Sequence, residues 1–289
     1  MSDQAEPARV ETDVPRDSPR TILFQFVLFP LGVVAIGVLV FLLFGMLASE
    51  DHSVREHLGD IRSGSSHRRW QAAFQLSKAI AKGDAKSYPN LQSEVADLYV
   101  RAQDDDPRIR RYLAMVLGSL GDRRSVPVLV DGLADRDPET RVYAVLALAE
   151  IGEPRAAGPV AALVADDDPA LRKSVVYTLG VLGQKDSAAA VASVLNDPVT
   201  DVRWNAAIAL ARLDDSRALP VLHEMLDRSR TSGVEKIRED QIEAAMMGAM
   251  PAYTKLAGSE SRTLLETIAA RDPNLRVRSA ALAAIESLR

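Results

Sequence analysis

Four arginines stand 31 residues apart, at Arg110, Arg141, Arg172 and Arg203, and four aspartates, Asp104, Asp135, Asp166 and Asp197, keep the same period six residues ahead of them. A guanidinium is a planar fork that binds a carboxylate or phosphate through two parallel hydrogen bonds. Two kinds of chemistry are therefore open to these columns. They could grip an acidic ligand along one edge of the molecule, or they could neutralise each other. Acid and base columns of equal number and equal period favour the second reading. In it, each arginine meets a loop aspartate of its own or the adjacent unit and bonds to helix-end carbonyls, so the eight residues form a structural ladder.

Other residues with chemical potential are sparser. His223-Glu224 is a possible metal-ligand pair, but the positions 31, 62 and 93 residues earlier hold Ala192-Ser193, Ala161-Ala162 and Val130-Asp131. The ligand count for a metal centre is not met. His52, His57 and His67 are read as solvated side chains that could respond to pH. Trp70 and Trp204 occupy matching places beside Arg69 and Arg203. Exposed, they would be candidate partner-binding anchors, although tryptophan is more often packed. Met246, Met247 and Met250 have core spacing, and the aspartate runs 104–106 and 166–168 are capping chemistry without the glycine and distal glutamate of a calcium loop. The chain has no cysteine, and no Gly-rich phosphate loop, nucleophile elbow or kinase signature. A net charge of -5 offers no field for nucleic acid. No catalytic residue, metal or cofactor is expected, and no nucleic-acid partner.

The elements that must position these columns follow from local rules. Asp106, Asp137 and Asp168 are natural N-caps, and Pro107, Pro138 and Pro169 suit the first helical position. Gly121, Gly152 and Gly183 can take the left-handed conformation that ends a helix. Leu117, Leu148, Leu179 and Leu210 mark the core of a first helix, and Leu133, Val164, Leu195 and Leu226 that of a shorter second one. Neither helix can bury its apolar stripe alone, so successive hairpins must stack.

The pattern Asp-Pro-x-x-Arg-x3-Ala-x2-Leu-x2-Ile/Leu-Gly, seen as DPETRVYAVLALAEIG and DPALRKSVVYTLGVLG, resembles HEAT repeats, specifically the short kind of phycobilin-lyase-like proteins. The resemblance is clear over 104–228. RRWQAAFQL at 68–76 and DPNLRVRSAALAAI at 272–285 extend it, and 236–270 fits one long hairpin in which Pro251 should kink or break the helix. It implies an all-α, right-handed α-solenoid of about six HEAT-like hairpins and a final half. It also implies that such Asp and Arg positions form stacking ladders. Two enzyme readings come with it, a phycobilin lyase and a di-iron deoxyhypusine hydroxylase. The second needs several His-Glu pairs on successive repeats, and this chain has one.

Before the repeats, Phe26 to Ala48 is a run of 23 residues without a charge or strongly polar side chain, enough at about 1.5 Å per residue to cross about 30 Å of hydrocarbon. The expected organisation is a disordered tail over 1–20, a transmembrane helix over 21–48, a juxtamembrane adaptor helix over 49–64 and repeats over 65–289. The stretch is too long for a signal peptide, and Met46 suits a cleavage site poorly. Arg9, Arg16 and Arg20 before it, against Arg55 and Arg62 after it, lean the repeats to the non-cytoplasmic side. The expected function is a single-pass, membrane-anchored scaffold that binds a protein partner near the bilayer and is not an enzyme. The alternatives are a tethered enzyme of the two types named and a structural subunit of a larger membrane complex.

Overall fold

In the computed structural model, which describes residues 29–48, 54–83, 88, 90–232 and 237–288, every regular element among the described residues is helical. The chain divides into two compact units, Met1–His52 and Ser53–Arg289.

The first unit shows one helix, α1 (Phe29–Ala48), of 20 residues with no acidic or basic side chain in its end turns. Its described side chains run from Phe29 to Phe41 and are largely exposed. Counted on those residues, no helix is long and apolar enough to cross a membrane. A helix is thus observed where a span was expected, over 29–48, while 21–28 and the tail at 1–20 lie outside the described residues.

The second unit begins with α2 (Val54–Ser63), whose buried Val54, Leu58 and Ile61 lie against the hairpin that follows. Six hairpins succeed one another among the described residues: α3 (Ser66–Lys82) with α4 (Leu91–Arg101), α5 (Pro107–Leu120) with α6 (Val126–Asp131), and α7 (Pro138–Ile151) with α8 (Ala157–Ala161). Then come α9 (Pro169–Leu182) with α10 (Ala188–Ala192), α11 (Thr200–Arg212) with α12 (Leu219–Leu226), and α14 (Glu239–Ala257) with α15 (Arg262–Arg271). A short α13 (Arg228–Ser232) precedes the last hairpin, and α16 (Leu275–Glu286) closes the unit.

The starts and stops have the expected chemistry. Asp106 accepts the amide of Arg108, Asp137 that of Thr140 and Asp168 that of Ala170, with proline at the first helical position each time. Gly121, Gly152 and Gly183 end those helices with φ of 64°, 69° and 68°. In the fifth hairpin the pattern changes: Val199 stands where the capping aspartate would be, and Asp214 takes the glycine's place at φ 62°. Lys255 reaches from α14 to Asp214 at 2.6 Å and donates to the carbonyls of Ala211 (2.8 Å) and Arg212 (3.3 Å) at the end of α11.

First helices pack on first helices, α3 on α5, α5 on α7, α7 on α9 and α9 on α11. Small residues set their approach: a β-carbon at Gly180 would sit 2.8 Å from that of Ala209, and one at Gly118 3.1 Å from that of Ala147. The shared core runs unbroken through Leu76, Leu113, Leu117, Leu148, Leu179, Leu210 and Leu222. Pro251 lies inside α14, which runs on to Ala257, so the break that was one of the two expected outcomes does not occur. Ile242, Met246, Ala249, Met250 and Thr254 are buried along one side of it, and this packing holds the helix through the missing amide donor.

Candidate protein-binding face

The two charge columns come together between units. Arg110 is in direct contact with Asp135, Arg141 donates to Asp166 at 2.6 Å, and Arg172 forms a two-pronged pair with Asp197 at 2.7 and 2.9 Å. Each arginine on a first helix thus binds the aspartate that begins the next unit. That aspartate also accepts a main-chain amide two residues on: Asp137, Asp168 and Val199 in turn. Arg172 and Arg203 further donate to the carbonyls of Asp166 and Asp197.

The ends of the column depart from the sequence register. Asp104 is exposed and only 4.0 Å from Arg136, while its neighbour Asp105 takes the paired position with Arg69 at 2.7 Å. Arg203 has no aspartate ahead of it, since position 228 is arginine; Glu224 at 3.8 Å is its nearest acid. Arg228 in turn pairs with Asp272 at 2.8 and 2.9 Å, 44 residues away. Beside this column, Arg111 binds Asp137 at 2.7 and 2.9 Å, and with Thr140 it holds that carboxyl down at about 2. The Arg172 guanidinium likewise lowers Asp197. These arginines are consumed inside the molecule and leave no row of free guanidiniums for a ligand.

Trp204 is 6% exposed and belongs to the core, so the anchor role open to it in the sequence is corrected: its ring is covered. Trp70 is half-buried, with the Arg108 guanidinium 4.2 Å from its ring centre and His67 edge-on at 5.5 Å. His223 is exposed beside Tyr253, and among the described residues no three His, Asp or Glu side chains converge as metal ligands.

A face the sequence reading missed lies on the first helices. With their buried stripes turned inward, the residues on the opposite side form a column at the repeat period: Met115, Leu146 and Tyr177 are 39%, 39% and 42% exposed, with Val181 beside them. Tyr112 and Tyr143 flank the column half-buried, so three of the chain's six tyrosines share this side. At its ends the column is partly covered. Phe74 packs on Tyr112 at 5.1 Å under the Lys78 ammonium, and Ile208 is half-buried next to Gly248 of α14. Glu139, Glu150, Lys173 and Arg212 surround the exposed part, the last 5.6 Å from the Tyr177 ring. Close helix approach at Gly118 and Gly180 keeps consecutive members within about 10 Å of each other, so the column is a continuous ridge. An aromatic and aliphatic centre with a charged rim is the anatomy of a protein interface. The signal was present in the sequence as a large apolar residue at 115, 146, 177 and 208 on the polar side of each helix.

The sequence matches HEAT repeats over residues 95–174 and 157–242, which together take in just over half of the chain. No curated protein matches it. Among solved structures, the complex of CpcE and CpcF of phycocyanin lyase from Nostoc sp. PCC7120 is 20% identical with a TM-score of 0.54, covering 83% of this chain and 97% of that one. The E. coli protein YibA is 16% identical with a TM-score of 0.56, covering 83% of each. At these identities the likeness speaks for the fold.

Proposed function

The chain belongs to the HEAT-repeat family, and from that premise we propose that it is a membrane-anchored scaffold, not an enzyme, whose repeats hold a protein partner on the ridge of Met115, Leu146 and Tyr177. The observation that carries this reading is the ridge itself. Large apolar side chains recur at the repeat period on the side of the first helices turned away from the core, where a solenoid needing only solubility would place charges. The arginines and aspartates that could have served a ligand are spent on one another, which leaves the ridge as the distinctive surface of the regular units.

Anchoring is supported by the sequence from Phe26 to Ala48 and by the helix over Phe29–Ala48, whose 20 residues would reach about 30 Å. The arginine balance around it favours repeats on the non-cytoplasmic side. A tether confines the repeats near the bilayer and raises the effective concentration of a membrane-associated partner.

Two measurements on the full chain in its native membranes test the proposal. A photo-crosslinking residue at 115, 146 or 177 is expected to give one common protein adduct, absent when the probe sits at Asp186 and lost in Leu146→Asp. Resistance of the chain to carbonate extraction is expected for the tether. Adducts independent of probe position would remove the ridge, and release into the carbonate supernatant would remove the anchor.

A further inference from the structure

The stripes that carry the ridge also carry charges, and the signs alternate from helix to helix. On a first helix, the residue seven places before the ridge residue lies two turns away on the same side. That residue is Arg108 on α5, Glu139 on α7 and Asp201 on α11; on α9 it is Ala170, and Lys173 one turn further on supplies the charge. From α5 to α11 the signs run plus, minus, plus, minus. All four side chains stay at least 44% exposed, in spite of contacts from Arg108 to Asp106, Glu139 to Arg111 and Lys173 to Asp201. At the other end of the same stripes stand Ser119, Glu150, Val181 and Arg212, all exposed.

Such a series is complementary to its own reversal. A two-fold axis parallel to the first helices and passing between α7 and α9 lays a second copy on the ridge with the order of the stack inverted. Helix α7 then meets α9 of the second copy, and α5 meets α11. Leu146 faces Tyr177 and Met115 faces Ile208 at the rim, Glu139 comes opposite Lys173, and Arg108 comes opposite Asp201. At the far end Glu150 meets Val181 and Ser119 meets Arg212, so no like charges meet. Neighbouring registers fail this test: an axis on α7 sets Glu139 and Glu150 against themselves, and an axis on α9 sets Lys173 against itself and Glu139 against Asp201. An axis along the stack sets Glu139 against Glu150. Like charges brought together in this way select against those arrangements. Four helices about 20 Å long and about 10 Å apart present a face of about 800 Å², which is what each partner of a stable complex contributes. We infer that the occupant of the ridge is a second copy of this chain, held antiparallel about this axis. The apolar residues supply the affinity, and the exposed charges set the register. The inference rests on the ridge being a protein-binding face and names what it binds. A second copy carries the same apolar helix, so it is a membrane-associated partner of the kind a tether favours.

The test uses the absence of cysteine from the chain, which leaves an introduced thiol without competitors. Two differently tagged full chains, Leu146→Cys and Tyr177→Cys, are co-expressed and mildly oxidised in membranes. The disulfide-linked heterodimer is expected at least tenfold above the homodimer of either variant, because this register leaves each residue about 10 Å from its own copy, beyond disulfide reach. In detergent micelles, Glu139→Lys should weaken association at least fivefold by sedimentation equilibrium, and Glu139→Lys with Lys173→Glu should restore it to within twofold. Equal yields of the three disulfides, or a loss that the second change does not restore, would overturn the inference. A position-dependent photo-adduct whose mass is not twice that of the chain would also overturn it while leaving the ridge as a binding face. Absence of any position-dependent adduct would remove the face itself.

Discussion

The regular units and the carboxyl-terminal hairpin solve the same problem at different spacings. Between residues 107 and 226, consecutive layers are tied by an arginine and an aspartate 25 residues apart, as in Arg141 with Asp166 and Arg172 with Asp197. Beyond 226 the period is lost, α13 intervenes and the last hairpin is longer. An arginine still meets the aspartate that opens the final first helix, across 44 residues, in Arg228 with Asp272. The tie therefore recurs where the spacing changes, although the junction after Arg203 is made without one. The period is only the commonest spacing for it.

The largest effect that would break this equivalence comes from removing one partner. Arg172→Leu leaves Asp197, 7% exposed, without its counter-ion, and should cost about 3 to 5 kcal/mol. Urea unfolding followed by proteolysis between α9 and α11 would read it. Arg228→Leu strands Asp272, 8% exposed, and should open the seam at α16 by a similar amount; a loss under about 1 kcal/mol there would show the distant tie to be ornamental. The double change Arg172→Leu with Asp197→Leu should recover most of the loss, because apolar packing can replace a buried ion pair.

A smaller effect distinguishes the regions by pH. Asp137 has its carboxyl lowered from 3.8 to about 2 by Arg111 and Thr140. A depressed carboxylate contributes stability that is whole above its unfolded value and disappears as pH falls through its folded value. The loss should fall between pH about 4 and 2 and amount to about 2 kcal/mol at most. Acid titration of helix content should show the α5–α7 junction weakening over that window, and Asp137→Asn should remove the slope. An unchanged acid limb in that variant would detach the pair from stability.

The smallest expected effect sharpens the comparison. Val199 is 37% exposed and has the extended backbone of an N-cap, but no oxygen to offer the amides of α11. Val199→Asp restores the capping column of Asp106, Asp137 and Asp168 and should stabilise by about 1 kcal/mol. A thermal midpoint at or below that of the parent would show that α11 is held by its neighbours alone.

Much of this was legible in the sequence, for physical reasons that can be named. Caps, prolines and glycines act on their own few residues, so the starts of α5, α7 and α9 and their ends at Gly121, Gly152 and Gly183 needed no tertiary information. Partner choice did. A period of 31 places Asp135 equally well as the partner of Arg110 or of Arg141, and only stacking selects Arg110. The run Asp104-Asp105-Asp106 hides which acid is paired, since a shift of one residue keeps the composition. The ridge was missed, and Trp204 was left open between packing and anchoring, for a common reason: exposure depends on what the next helix covers. Ile208 and Tyr177 share a register position, and α14 covers one of them. The long α14 survives Pro251 because packing outweighs local propensity.

At the end of α11, where α3, α5, α7 and α9 each close on a left-handed glycine, the chain places Asp214 in that conformation instead, and a cation from the last hairpin meets it. Alone, the acid would sit in a backbone conformation that side-chain-bearing residues avoid at a cost of about 1 kcal/mol; alone, the carbonyls of Ala211 and Arg212 would lose the ammonium that caps them. Each half of the latch is thus strengthened by the other, with Lys185 a second cation 3.5 Å from Asp214. The end of α11 and the end of α14 should therefore open as one cooperative event, visible as matched amide exchange rates at the two helix ends.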